Sequence, residues 1–207
     1  MTAEEQQRVI ARYDERLATH GETAVALGWR DRAQQELRFR ILADLGDCSN
    51  RSVLDIGCGF GDLLDYLTAR GATKVSYTGT DLHPGMIEIA HSRHPEARFL
   101  ATADLAQFAD ESHDYVFMSG LFNYRIADNV SFLHEMMRQS FRIARRGVAF
   151  NLLGSHVDFR EEHLFYYREA EVFDFAKSLT RFVNLRADYP LHEFTVHLYK
   201  PAVVLAK

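Results

Sequence analysis

The chain has 207 residues, 47% of them apolar and 26% charged, so it can bury one substantial core and has neither a disordered nor a fibrous composition. A net charge of -5 argues against a surface that tracks phosphates, and so against a nucleic-acid partner. Two cysteines, Cys48 and Cys58, are too few for a disulfide framework. The start is polar and acidic without an apolar signal core, and no apolar run reaches membrane-spanning length, so the expected setting is the reducing cytoplasm, away from membranes.

From Thr2 to Thr19, Val9, Ile10, Tyr13 and Leu17 recur at helical spacing, and His20-Gly21 supplies a stop. A second helical stretch, Asp31 to Leu45, carries Ala33, Leu37, Ile41 and Leu45 at four-residue intervals and ends near Gly46. Residues 1–46 are therefore expected to form a helical cap on a core of residues 50–207, the whole being one domain.

A regular alternation follows. Ser52 to Ile56 reads as a strand, Asp62 to Arg70 as a helix stopped by Gly71, and Lys74 to Thr80 as a second strand. Pro84 opens a third helix in the core, and Arg98 to Ala101 and Tyr115 to Met118 read as short buried strands. Asp128 to Ala144 is predicted helical, with Val130, Leu133, Met137 and Phe141 on its buried face. The basic cluster Arg138, Arg142, Arg145 and Arg146 suits the C-terminal end of that helix, where cations complement the dipole. Gly147 to Leu153 is the fifth strand, Glu169 to Leu179 a helix, and Phe182 to Ala187 and Phe194 to Val204 two final strands. In the last, Phe194, Val196 and Leu198 alternate with Thr195, His197 and Tyr199, the pattern of a half-buried antiparallel strand. The fold class is thus α/β, doubly wound, with a mostly parallel seven-stranded sheet, an antiparallel C-terminal hairpin and an N-terminal helical cap.

The most informative segment is Val53-Leu54-Asp55-Ile56-Gly57-Cys58-Gly59-Phe60-Gly61-Asp62, a strand running into a turn with glycine at every second position. Such a turn lies beside the ligand crevice of a doubly wound sheet and lets a ligand approach the backbone. A dinucleotide-binding turn has the register Gly-x-Gly-x-x-Gly, whereas here the glycines are Gly-x-Gly-x-Gly with Asp62 in the last slot. The carboxylates of Asp55 and Asp62 would also repel a pyrophosphate, while a ligand carrying an amino group and a sulfonium would tolerate them. Twenty residues after Gly61, Asp81 closes the second strand, where a carboxylate can accept both hydroxyl hydrogens of a ribose; capping the helix entered at Pro84 is its alternative role. Asp104 follows the third strand and could accept the amino group of an adenine or serve a turn.

Taken together, Val53 to Gly61, Asp81, Asp104 and the strand Asp114-Tyr115-Val116-Phe117-Met118-Ser119 closely resemble the class I, Rossmann-like S-adenosylmethionine-dependent methyltransferases. The resemblance covers about residues 50–150 and is most specific at the glycine segment. It implies S-adenosylmethionine as cofactor, with Gly57, Cys58, Gly59 and Gly61 framing its methionine part and Asp55 holding the ammonium through backbone or water. It further implies Asp81 on the ribose, Leu82 and Met86 on the adenine faces, Asp104 and Leu105 at the adenine edge, and Ser119 at the end of the fourth strand. Tyr13, Trp29 and Arg38 are candidates from the cap, Arg38 for the cofactor carboxylate; Asp114 is read as structural.

Methyl transfer from a sulfonium needs alignment, exclusion of water and, for some acceptors, a base. The segment after the fourth strand, Ser119-Gly120-Leu121-Phe122-Asn123-Tyr124, lacks the Asn/Asp-Pro-Pro-Tyr/Phe signature of enzymes acting on exocyclic amino groups of bases and on glutamine. His156, after the fifth strand, is the first candidate base and Tyr166 a second catalytic candidate, with His163 and Tyr167 competing. His91 and His94, three apart on a helix without a third ligand, read as surface residues, so no metal is expected. The resulting expectation is methyl transfer to oxygen or nitrogen of a small-molecule acceptor: a sugar, an amino-acid derivative or a natural-product intermediate. An RNA or protein methyltransferase and a non-catalytic cofactor binder stand as alternatives, and a homodimer stays open as the oligomeric state.

Overall fold

The computed structural model describes residues 1–201, and within them the sequence alternation becomes one seven-stranded sheet. The strands are β1 (Ser52–Ile56), β2 (Ser76–Asp81), β3 (Arg98–Ala101), β4 (His113–Met118), β5 (Ala144–Leu153), β6 (Val183–Arg186) and β7 (Glu193–Tyr199). Their spatial order is β3-β2-β1-β4-β5-β7-β6. The first five are parallel, and β7 runs antiparallel between β5 and β6. From β1 the chain winds outward through β2 and β3, then returns to place β4 on the other side of β1. That reversal opens a crevice at the carboxyl ends of β1, β2 and β4.

Alternate residues of the central strands enter opposite cores, as the period of two requires. Leu54, Met118 and Phe150 join the cluster beneath α5 (Asn129–Ile143) and α6 (Glu169–Leu179). Val53, Phe117 and Ala149 join the cluster beneath α2 (Arg32–Ala43) and α3 (Asp62–Ala69). A third, small cluster of Ala26, Phe60 and Met86, the last from α4 (Pro84–Arg93), receives Tyr13 and Leu17 from α1 (Ala3–His20).

Helix α1 opens with a capping box, Thr2 and Glu5 each bonding the other's backbone N–H. The second Glu5 oxygen accepts from Ala127 N at 2.7 Å. Further along α1, Asp14 meets His83 Nε2 at 3.0 Å and Arg16 donates to the carbonyls of Val25 and Ala26. The helix thus lies across the crevice, fastened at both ends by side chains. Among the described residues no helix is long and apolar enough to cross a membrane.

Five local expectations are corrected. The last strand ends at Tyr199, and the part expected at residues 202–204 lies outside the described residues. It is also buried on both faces rather than one, because β7 is an interior strand covered by α6 and α2. Its polar face is satisfied internally: His197 Nε2 donates to Ile41 O at 2.9 Å, and Thr195 shares a hydrogen bond with Tyr189. On α2 the buried residues are Gln35, Arg38, Phe39, Ile41 and Leu42; Ile41 is inside as expected, while Ala33 is exposed and two polar residues of this helix find buried partners. On α5 Val130 is 42% exposed and Asn129, Leu133, Met137 and Ser140 face inward. His94, read as a surface residue, has a side chain only 14% exposed, packed near Phe99.

Candidate active site

The turn from β1 to α3 is stitched to the end of β2. Gly57 N and Cys58 N both donate to Thr80 O, at 2.7 and 3.0 Å, and Gly59 N donates to Asp81 Oδ2 at 3.0 Å. Gly57, Gly59 and Gly61 have φ of 77°, 53° and 82°, a left-handed conformation that side chains with a Cβ rarely adopt, which explains the alternating glycines. Asp81 Oδ1 accepts from His83 N at 2.9 Å, so its carboxylate is fixed on both oxygens at the crevice edge. Burial pushes its pKa above the ordinary carboxylate range, against the pull of those two backbone N–H groups.

This edge belongs to a cavity of about 560 Å³ lying between the turn, α1 and the loops after β4 and β5. Asp55, Gly57, Cys58, Gly59, Asp81, Leu82, Met86, Ser119 and Arg38 all line it, so the structure gathers most of the sequence-predicted cofactor set around one space. Tyr13 and Trp29 line it too. Asp55 is 3% exposed; burial raises its carboxyl to about 7, while the Tyr77 hydroxyl, donating at 2.5 Å, opposes the rise.

Other expected residues do not reach the cavity wall. Gly61 is buried as the left-handed residue at the start of α3. Asp104 caps the short 3-10 turn Leu105–Gln107 by accepting from Ala106 N at 2.9 Å, and Leu105 packs into the core; their neighbours Thr102 and Ala103 line the cavity instead. Arg38 lines the cavity, but its guanidinium is already matched. Its Nε donates to both Glu193 oxygens, at 2.9 and 3.0 Å, its Nη2 bonds the same carboxylate, and Trp29 stacks on it at 4.3 Å. Asp114 is structural, accepting from Ser52 and Arg145.

Neither first-choice catalytic residue faces this cavity. His156, whose side chain is 87% exposed, pairs with Glu169 at 3.0 Å, and the Tyr166 hydroxyl accepts from Glu161 N; both line a separate surface hollow. The reason is an antiparallel bridge between Tyr124 and Leu164. It puts Glu161, His163 and Leu164 on the cavity side and sends Arg160, Phe165 and Tyr166 to the other. His163 therefore is the histidine of this loop that the cavity holds, with Nε2 3.5 Å from Glu161.

Sequence reasoning missed a buried chain behind the site. Glu193 accepts from Asn151 Nδ2 at 2.6 Å, and Asn151 Oδ1 accepts from Gly120 N at 2.9 Å, so β7 fixes the backbone at the end of β4. It also missed Gln35, whose Nε2 donates to buried Asp62 at 2.8 Å. Among the described residues, Gln35 Oε1, Thr80 Oγ1, Ser119 Oγ and Asn123 Oδ1 are buried without a hydrogen-bond partner, and all four residues line the cavity. Buried polar atoms are seldom left unpaired. Their convergence marks a place for a polar ligand. Among the described residues no three His, Cys, Asp or Glu side chains are grouped to hold a metal ion.

A reversed parallel sheet with a glycine turn and a strand-end carboxylate is the setting in which doubly wound folds hold nucleoside-type ligands, and comparison with known proteins narrows the class. The family model for a methyltransferase domain matches residues 53–147. The chain is 36% identical over 156 residues to a protein named as a methyltransferase, Rv1506c, of Mycobacterium tuberculosis, a match spanning 72% of this chain and 93% of that one. A SAM-dependent methyltransferase from Aquifex aeolicus superposes with a TM-score of 0.57 at 18% identity, covering 82% of this chain and 93% of the other. One from Archaeoglobus fulgidus does so with a TM-score of 0.63 at 14% identity, covering 82% and 95%. At such identities the structural likeness speaks for the fold. The chain belongs to the methyltransferase family, and its fold is the one that these S-adenosylmethionine-dependent enzymes share.

Proposed function

We propose that this enzyme methylates an oxygen or nitrogen atom of a small molecule held in the cavity between the glycine turn and α1. The observation that carries this reading is the set of four unpartnered buried polar atoms on residues that line one cavity of about 560 Å³, a size suited to small ligands. The methyl donor in this reading is S-adenosylmethionine, and the residues present fit it. Gly57, Cys58 and Gly59 offer a backbone surface that admits close approach, Asp81 presents a fixed carboxylate for ribose hydroxyls, and Leu82 and Met86 supply apolar faces for adenine. Thr80 supplies a hydroxyl at the end of β2, and Asp55 a carboxyl whose ionised form favours an ammonium.

When bound, S-adenosylmethionine supplies a methyl group on a cationic sulfur; the acceptor's lone pair forms the new bond as the carbon–sulfur bond breaks, its electrons remaining on sulfur. The protein's share is alignment and exclusion of water, for which α1 and the Tyr124–Leu164 bridge form the outer wall. His163, backed by Glu161 and open to solvent, takes the proton from acceptors that must lose one. Two free, buried cysteines, Cys48 and Cys58, support a reducing cytoplasmic setting.

Calorimetric titration with S-adenosylhomocysteine tests the site. Micromolar, one-to-one binding is expected, weakened at least about tenfold in Asp81→Asn because a carboxylate accepting two hydroxyls is worth more than one hydrogen bond. Equal binding by wild type and variant would remove Asp81 from the site.

A further inference from the structure

Val9 and Ile10 on α1, Ile126 ahead of α5, and Leu164 on the loop after β5 all line the cavity half-buried. None of the four belongs to any hydrophobic cluster of the core. Phe132 and Met136, four apart on α5, are only partly buried against the sheet and turn their free flanks to the same space. Six apolar side chains from four separate segments thus surround one volume without filling it. Interiors are normally close-packed, so apolar surface arranged around an open volume indicates an apolar occupant.

The charges around that volume are largely committed elsewhere. Arg38 is held by Glu193, Arg16 donates to two backbone carbonyls, Glu135 bonds Arg138 and Gln139, and Glu161 faces His163. Arg12, at the rim, lies 4.5 Å over the Tyr124 ring. An ionic body would be desolvated here with little to compensate it. The unpartnered Ser119 Oγ and Asn123 Oδ1, at the end of β4 and in the loop after it, mark a polar spot against these apolar walls.

We infer that the acceptor is amphipathic: an aliphatic or aromatic body lodged between α1, α5 and Leu164, bearing one hydroxyl or amine that Ser119 and Asn123 hold. This inference rests on the methyltransferase reading above and narrows its acceptor, setting aside sugars and free amino acids. Ser119 and Asn123 orient the head group and the apolar walls choose the body.

The test is calorimetric titration of the full chain, saturated with S-adenosylhomocysteine, with 1-butanol, 1-hexanol and 1-octanol, and with inositol and serine as polar comparators. One-site binding that tightens about fourfold per added methylene, as expected for full burial of each group, supports the inference. Val9→Lys and Leu164→Lys, on separate elements, are expected to weaken 1-octanol at least tenfold while S-adenosylhomocysteine binds as in wild type, which also reports folding. Flat affinity along the alcohol series, or inositol or serine binding as tightly as 1-octanol, overturns the inference while leaving the methyltransferase reading intact. Absence of S-adenosylhomocysteine binding by folded protein strikes the reading itself, and the inference falls with it.

Discussion

The carboxyl of Asp55 gives a quantitative handle on the glycine turn. It is 3% exposed, and burial raises it to about 7 despite the Tyr77 hydroxyl. In the unfolded chain it titrates near 3.9. Between roughly pH 4 and pH 7 the folded state therefore keeps a proton that the unfolded state has released, and stability falls as pH rises by up to about 1.4 kcal/mol per unit. The full span amounts to roughly 4 kcal/mol at the upper end, and the slope flattens above about pH 7. Asp55→Asn removes the titration and keeps an oxygen that can accept from Tyr77, so the variant gains on wild type as pH rises from 5 to 7. Buried His197 works in the opposite direction: burial lowers its pKa, so the stability it governs is lost as pH falls. For that reason the comparison of variant with wild type, rather than either curve alone, isolates Asp55. Urea unfolding at pH 5, 6, 7 and 8 without ligand measures it. Parallel curves for the two proteins would refute the assignment of a neutral Asp55 in the ligand-free state.

The supporting chain behind the site yields further expectations. Removing one member of the buried Arg38–Glu193 pair, as in Glu193→Ala, should destabilise the fold by about 3–5 kcal/mol, whereas Arg38→Met combined with Glu193→Met should cost less than the sum of the single changes, measured by denaturant unfolding. Gly120 has φ of 73°, and a Cβ there would lie 2.5 Å from Trp29 Cη2. Gly120→Ala should lose roughly 2–3 kcal/mol and weaken S-adenosylhomocysteine, and an unchanged urea midpoint would show that the Trp29 contact yields freely.

What the sequence carried locally was legible. Alternation of strand and helix, the glycine turn and the spacing from Gly61 to Asp81 are short-range patterns, and they located the sheet and the glycine-turn and strand-end residues that line the cavity. Features set by distant partners were not legible. Arg38 and Glu193 are 155 residues apart, and an arginine on a helix face gives no sign of a glutamate on the last strand. Alternation in β7 reads as one buried face, because insertion between β5 and β6 is a property of the topology. The exchange of His156 for His163 at the cavity has the same origin: one bridge between two loops decides which side chains face inward, and neither loop has a periodicity that announces it.

The fastening of α1 leads to one more consequence. Asp14, Arg16 and Glu5 tie this helix to the body through side chains, whereas the glycine turn is bound into the sheet by backbone hydrogen bonds to Thr80 and a carboxylate at its edge. Val9 and Ile10 on α1 can therefore be exchanged apart from the glycine turn, whereas Tyr13 and Leu17, packed against Phe60 and Met86, and Asp14, bonded to His83, tie the same helix to the turn's side of the cavity. One helix thus serves both halves of the site, with its two stretches open to change to different degrees.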